Sequence, residues 1–358
     1  MYNKIIVDGL RGLKHIEIDD FKKINLFVGN NNSGKTTILE SIFLSINPGN
    51  AELPLKINRF RGYNLIDENY WRTIFNKLDI NSKIEVHADL DNLKERRSLK
   101  ITPRSKIIDL HKASSLDEKK FESKDSYSGA SPSISGLDIN FSIKKNRNQK
   151  KYSSKVYSIG PSIKIDIPKE YQETLLGIYV RPEIDFVEIA RIFSNVQIKK
   201  GIPRIIKVLK RIEPALENLS IGADGIIYCD LGLDRLLPIN VMGGGILRIL
   251  HIVLAISDTQ GGVVLVDEIE NGLHYSSQKI LWDAIFESAL EFDTQIFATT
   301  HSLECINAFS SSYPNSKLAE TNDNLRLFRL EKSGDDTSVI SYNDKILAES
   351  LDSGWEIR

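Results

Sequence analysis

Short apolar runs and helical stripes alternate at the two ends of this chain, while its middle is dominated by strict two-residue alternation. Near the N-terminus two strand-like segments precede Ile24-Asn25-Leu26-Phe27-Val28, which reads as a short buried strand. Thr37-Ile38-Leu39-Glu40-Ser41-Ile42-Phe43-Leu44 follows as a helix with an apolar face. Residues 50–80 mix helix and loop, with Trp71, Ile74, Phe75 and Leu78 spaced as one helical core stripe. From about Lys83 to Tyr179 the period becomes two, as in Lys83-Ile84-Glu85-Val86-His87-Ala88 and Leu137-Asp138-Ile139-Asn140-Phe141-Ser142-Ile143. Such alternation predicts an antiparallel sheet with one wet face. Within it, residues 112–132 and 144–155 are polar and Ser/Lys-rich and are expected to be mobile connections.

Residues 183–219 turn helical, with a break expected at Ile202-Pro203 and a stripe of Ile205, Val208, Leu209 and Ile212. The last third returns to alternating elements: a buried strand at 263–266, a helix at 277–290 and a strand at 294–299. A hairpin of 325–330 and 337–341 is expected around Ser333-Gly334-Asp335. There is no internal repeat. The predicted class is α/β, a single domain over 1–358. Residues 1–50 and 236–345 would form a nucleotide-binding lobe, 83–180 an inserted antiparallel β-rich subdomain and 183–235 a helical subdomain.

Composition narrows the partners only locally. The chain has 358 residues with 47 Lys/Arg against 48 Asp/Glu, so its overall charge selects no partner. Residues 94–155, however, carry 16 Lys/Arg against 7 Asp/Glu, a basic segment on an otherwise acidic body. That segment would face DNA or RNA, or be a solvated loop face. Cys229 and Cys305 lack metal-ligand spacing and are expected to be buried thiols in a reducing compartment. No apolar run approaches the ~20 residues that span a bilayer, and the N-terminus lacks a signal-peptide core. A cytoplasmic protein with no membrane partner is therefore expected.

The chemistry is concentrated in four places. Gly29, Asn30, Asn31, Asn32, Ser33, Gly34, Lys35 and Thr36 match G-x-x-x-x-G-K-[ST] between a strand and a helix. Backbone N–H groups and the helix dipole form an anion cradle, Lys35 adds a charge, and the Thr36 hydroxyl is placed for Mg²⁺. Val263-Val264-Leu265-Val266-Asp267-Glu268 delivers two carboxylates at a strand end; Asp267 suits the metal and Glu268 suits polarising a water. Ile296-Phe297-Ala298-Thr299-Thr300-His301 is a further strand, ending in a His placed to sense a γ-phosphate. Gly243, Gly244 and Gly245 open another helix and form a second anion-binding N-terminus. One nucleotide rarely needs two cradles, so the second is expected to cap the nucleotide of a neighbouring subunit.

In this order the motifs resemble the ABC-type ATPases of the chromosome-maintenance and recombination-repair kind. More narrowly, they are similar to the small AAA-labelled ATPases related to the overcoming-lysogenization-defect family. The resemblance implies an ABC-type P-loop ATPase lobe and the cofactors ATP and Mg²⁺. It assigns Gly29 to Thr36 as Walker A, with Thr37 beside it, and Val263 to Glu268 as Walker B. Gly243 to Arg248 takes the place of the ABC signature, His301 that of the switch histidine and Asn271 to His274 that of the D-loop. Leu10-Arg11-Gly12-Leu13-Lys14 looks like the segment that approaches adenine and ribose in such proteins. It also implies Lys35, Glu268 and His301 in catalysis, a homodimer or higher oligomer with composite sites, and anti-phage defence with a nuclease partner. The signature turn departs from the family pattern, since Met242-Gly243-Gly244-Gly245 offers no hydroxyl. No glutamine loop is evident. Glu85, Asp89 and Asp91 read as surface acids rather than a Toprim metal set, so nuclease chemistry is expected in a separate chain. An ATP-gated DNA/RNA clamp remains the alternative; a transporter subunit is disfavoured by the missing Leu-Ser-Gly-Gly-Gln signature.

Overall fold

The computed structural model describes residues 1–91, 93–105, 134–160, 162–321 and 323–357. The polar connection expected at 112–132 lies outside the described residues. Two large sheets organise the chain. The first is antiparallel and seven-stranded. In chain order its strands are β1 (Tyr2–Leu10), β2 (Leu13–Ile18), β4 (Ile84–Leu90), β5 (Glu95–Ser105), β6 (Ile134–Lys145), β7 (Asn148–Ile159) and β8 (Ser162–Asp166), and in space they run β2-β1-β4-β5-β6-β7-β8. It therefore draws on residues 2–18 as well as on the alternating middle of the chain.

The second sheet has the order β16-β15-β3-β14-β13-β9. Here β3 (Ile24–Gly29), β9 (Gly177–Val180), β13 (Val263–Val266), β14 (Gln295–Thr299) and β15 (Leu325–Ser333) run parallel, and β16 (Asp336–Tyr342) closes the edge as a hairpin. The central strands β3, β13 and β14 are buried at every position. That is what continuous apolar runs require, because both faces are covered. On one face Phe27, Val263, Leu265, Phe297 and Phe328 pack into the core shared with the antiparallel sheet and helix α1 (Lys35–Ile46). On the other, Leu26, Val264, Val266 and Ala298 pack beneath a helical layer. That layer comprises α4 (Phe186–Ile198), α5 (Ile202–Leu209), α6 (Gly244–Asp258), α7 (Tyr275–Glu291) and α8 (Leu303–Ser312). Pro203 sits in the first turn of α5, where its missing N–H costs no helical bond. A small sheet of β10 (Asn218–Ile221), β11 (Ile227–Asp230) and β12 (Leu237–Pro238) flanks the helices, and α9 (Asp344–Asp352) follows β16. Among the described residues no helix is long and apolar enough to cross a membrane.

Buried ion pairs lock α1 between the layers. Glu40 is fully buried and accepts from Arg11 Nε at 2.7 Å and Arg61 Nε at 2.8 Å. At the other end of α1, Arg97 of β5 donates to the carbonyls of Ser45 at 2.9 Å and Ile46 at 2.5 Å, a cation on C-terminal carbonyls.

Two expectations are corrected. Residues 144–155 are not a mobile connection: β6 and β7 run through them in unbroken register, Lys144 opposite Gln149 and Lys145 opposite Asn148. Both faces of the hairpin tip are wet, so the alternation that marks a half-buried strand is missing there. Nor do Trp71, Ile74, Phe75 and Leu78 form one helix. Trp71 lies in a short helix, α3 (Glu68–Arg72); α2 (Leu53–Phe60) precedes it. Ile74 and Phe75 are buried in the following turn, whereas Leu78 is exposed, because positive φ at Lys77 and Leu78 breaks the helical spacing.

Candidate functional site

The phosphate-loop residues lie at the carboxyl end of β3, where the chain turns into α1. Two glycines are required there. Gly29 has φ 137°, and a Cβ on it would stand 2.4 Å from the Leu330 carbonyl oxygen. Gly34 has φ 103°, and a Cβ would stand 2.6 Å from Leu13 Cδ2. Asn32, at φ 65°, uses the tolerance of Asn for the left-handed region. Leu13 opens β2, so the Leu10-to-Lys14 segment lies against the loop, while Arg11 is drawn inward to Glu40 and to Asn58 Oδ1 at 3.0 Å. Lys35 Nζ donates to the carbonyls of Gly29 at 2.7 Å and Asn30 at 3.0 Å, which holds its charge over the loop. Burial lowers the Lys35 pKa, opposed by the charges of Asp267, Glu268 and Glu270. Ser33 Oγ is buried without a partner among the described residues. A constricted turn, a free N-terminus with no acid in the first turn, a lysine and an orphaned hydroxyl fit a polyphosphate.

Asp267 and Glu268 follow β13, two strands from β3. The Thr36 hydroxyl donates to Asp267 Oδ1 at 3.0 Å, joining residues 231 positions apart. Thr299 Oγ1, at the end of β14, donates to the same oxygen at 2.6 Å. Tyr179 OH, at the end of β9, donates to Oδ2 at 3.4 Å. Burial and the nearby Asp267 and Glu40 charges push the Tyr179 phenol well above its ordinary value, so it remains a donor. One hard oxygen acid and one hydroxyl meeting beside a phosphate cradle suit Mg²⁺, which takes few protein ligands and completes its shell with phosphate oxygens and water. Among the described residues no group of three or more His, Cys, Asp or Glu is placed to hold a metal.

Glu268 is exposed and adopts φ 45°, rare for a residue with a Cβ. Its N–H donates to Thr299 Oγ1 at 2.8 Å. His301 follows β14; its N–H donates to Glu270 Oε1 at 3.0 Å, and its Nδ1 lies 3.1 Å from the same oxygen. Thus Gly29 to Thr37, Asp267, Glu268 and His301 stand at the carboxyl ends of neighbouring parallel strands, where α/β sheets bind ligands.

Gly243, Gly244 and Gly245 are held elsewhere. They open α6 with φ 95° at Gly243, and the nearest neighbours of Gly244 and Gly245 are Gly272 and Leu273 of the loop after Glu268. This turn is exposed at Gly243 and Gly244. His274 caps α7, its Nδ1 3.4 Å from the Ser276 N–H. Gln172 and Gln197 are both exposed, and neither contacts the cradle. Tyr179, Thr299, Glu270 and Arg248 were not assigned roles by sequence as partners of the carboxylates. Their signal is polar identity at the ends of adjacent strands or on the facing helix, and it becomes visible only once strand order is known.

A glycine cradle at the carboxyl end of a parallel sheet, with a lysine and a paired Thr–Asp, is the arrangement of the phosphate-loop class. Residues 24–307 match the model of the family described as AAA domain, putative AbiEii toxin, Type IV TA system, and the chain belongs to that family. It is an ATP-binding and ATP-hydrolysing protein of the AAA type. An ATP/GTP phosphatase of Helicobacter pylori is 24% identical over 340 residues, covering 86% of each chain. The DNA replication and repair protein RecF of Clostridium acetobutylicum is 54% identical over 44 residues, 12% of each. A solved SmcHead bound to the C-winged helix domain of ScpA is similar at TM-score 0.48 and 13% identity, over 98% of this chain and 99% of that one.

Proposed function

We propose that this chain is an ATP-driven switch whose cycle controls a nucleic-acid-directed effector, as the ATPase subunit of a prokaryotic anti-phage defence system with a separately encoded nuclease. The Thr36–Asp267 contact carries this reading, since it draws the end of the phosphate loop and the carboxylate strand to one point. ATP sits on Gly29 to Thr37, with Lys35 countering the β/γ charge. Thr36 and Asp267 would hold Mg²⁺, which would supply charge neutralisation of the phosphate oxygens. Glu268, exposed beside the cradle, orients the attacking water and takes up its proton. His301, held by Glu270, faces the γ-phosphate end. A second copy brings Gly243, Gly244 and Gly245 over that phosphate, so hydrolysis loosens the pair. The family's type IV toxin–antitoxin description supports a link to defence.

The test is phosphate release from ATP by the purified chain and by Lys35→Ala. The reading expects turnover in the first and none in the second; equal turnover in both would overturn it.

A second reading, an ATP-gated DNA/RNA clamp, is favoured by one feature. On the β6–β7 hairpin Lys144, Lys145, Arg147, Lys150 and Lys151 are all exposed, and Arg96 stands opposite Lys144. Binding by the chain alone, falling steeply with salt, would select this reading.

A further inference from the structure

Four residues beyond Gly244, one turn into α6, Arg248 points into the protein, where its side chain is 2% exposed. The two terminal nitrogens of its guanidinium are spent on three main-chain carbonyls, while Nε is buried without a partner among the described residues. Nη2 donates to the Asp267 oxygen at 2.7 Å and to the Glu268 oxygen at 3.0 Å, while Nη1 donates to Arg181 just past β9. It makes no ion pair among the described residues, so a buried charge is committed to backbone alone. Such a charge is costly unless its hydrogen bonds matter.

Those bonds fall on the most unusual backbone of the site. Glu268 stands at φ 45°, and left-handed backbone in a residue with a Cβ persists only where its surroundings enforce it. Here both flanking peptides are held by side chains: the N–H by Thr299 Oγ1 at 2.8 Å and the C=O by Arg248 at 3.0 Å. Together these two bonds fix the direction in which the Glu268 side chain leaves the backbone.

Resting on the reading of Glu268 as the residue that orients water, we infer that Arg248 is its positioning residue and connects it to the Gly243–Gly245 turn. The turn and Arg248 share one rigid helix. The turn also touches Gly272 and Leu273, which follow Glu268 by only a few residues. A partner that engages the exposed glycines therefore pulls on the helix that holds the Glu268 carbonyl. Hydrolysis is then coupled to engagement through the backbone, with no hydroxyl needed in the signature turn. This accounts for a turn built of glycine alone.

The test separates positioning from folding. Arg248→Lys keeps a buried cation but cannot fork across three carbonyls. Its kcat should fall at least about tenfold while the Kd for a non-hydrolysable ATP analogue stays within about threefold. In Arg248→Ala, tens of millimolar guanidinium chloride should restore part of the turnover, and ammonium chloride should not. A merely structural arginine predicts a lower melting temperature, an unchanged kcat in the cold and no selective rescue, and that outcome overturns the inference. If neither variant folds, Thr299→Val removes the other support of Glu268. It should show the same loss of kcat, read at saturating Mg²⁺ because Thr299 also holds Asp267; an unchanged kcat overturns the inference. Lys35→Ala is measured alongside. If it retains turnover, the ATPase reading itself has failed; if it is inactive while Arg248→Lys is fully active, only the positioning role has failed.

Discussion

Two helices of this protein open on a glycine of positive φ and end up in opposite surroundings. At α1 the N-cap is Gly34 with φ 103°; at α6 it is Gly243 with φ 95°, and neither helix has an acid in its first turn. By local chemistry both are anion sites. Around Gly34, however, Leu13 presses from the β1–β2 turn, Lys35 lies over the loop and Asp267 reaches Thr36. Around Gly243 nothing lies within 4 Å of where a Cβ would stand. The first turn is surrounded by a lysine and a carboxylate, whereas the second is exposed to solvent and is joined, through Arg248, to the Glu268 backbone. A glycine motif thus marks anion affinity, and the neighbouring strands decide whether the site is complete within one chain.

The sharpest way to break this comparison is Lys35→Ala. Removing this half-buried cation should cost roughly 2–5 kcal/mol of nucleotide binding, about 30-fold or more in Kd, read by calorimetry with ATP. Next comes Glu268→Gln. It should lower turnover by about 10²–10⁴-fold and leave the Kd for ATP within about threefold, because the residue acts on water rather than on the nucleotide. Undiminished turnover in that variant would refute the assigned role.

A smaller effect separates the two turns directly. Gly34→Ala places a Cβ against Leu13 in a left-handed conformation and should weaken ATP binding about tenfold. Gly243→Ala meets no neighbour but occupies a conformation that strains a Cβ by about 1–3 kcal/mol. It should bind ATP normally and lower turnover about tenfold. Equal losses of ATP affinity in both would mean that the second turn belongs to the same copy's site.

The smallest effect concerns the α6 side of the comparison. His251, one turn after Arg248, is buried with both ring nitrogens unpartnered among the described residues. Burial, with the Arg248 charge beside it, lowers its pKa to about 4; Asp185 opposes this and Arg181 adds to it. Because the folded value lies below that of the unfolded chain, the unfolded state takes up the proton first as pH falls. The contribution is full above about pH 6.5 and is lost toward pH 4, up to about 3 kcal/mol. Urea midpoints at pH 7 and pH 4.5 should converge less in the wild type than in His251→Leu; parallel shifts would remove His251 from the account.

Sequence periodicity revealed the elements wherever one face is dry and the other wet. The alternating middle was legible for that reason, the buried strands β3, β13 and β14 as continuous apolar runs covered on both faces, and the glycine turn as a local motif. It failed at the β6–β7 tip, where Lys144 to Lys151 are solvated on both sides, and at Leu78, where positive φ interrupts a spacing that looked helical. Within the site, Lys35, Thr36, Asp267 and Glu268 could be read because each stands in a local motif. Thr299, Tyr179 and Glu270 could not, since each acquires meaning only from a strand or loop distant in sequence. Arg248 was visible as part of the glycine turn's helix, but its direction, inward to the Asp267 and Glu268 carbonyls, depends on how α6 packs.

The central claim is that ATP, bound at one copy's complete turn, recruits the other copy's open turn. Light-scattering mass of the Glu268→Gln chain with and without ATP–Mg²⁺ tests it most directly. The account predicts a nucleotide-dependent doubling of mass, absent when Lys35→Ala is added. An assembly whose mass does not change with ATP would contradict it.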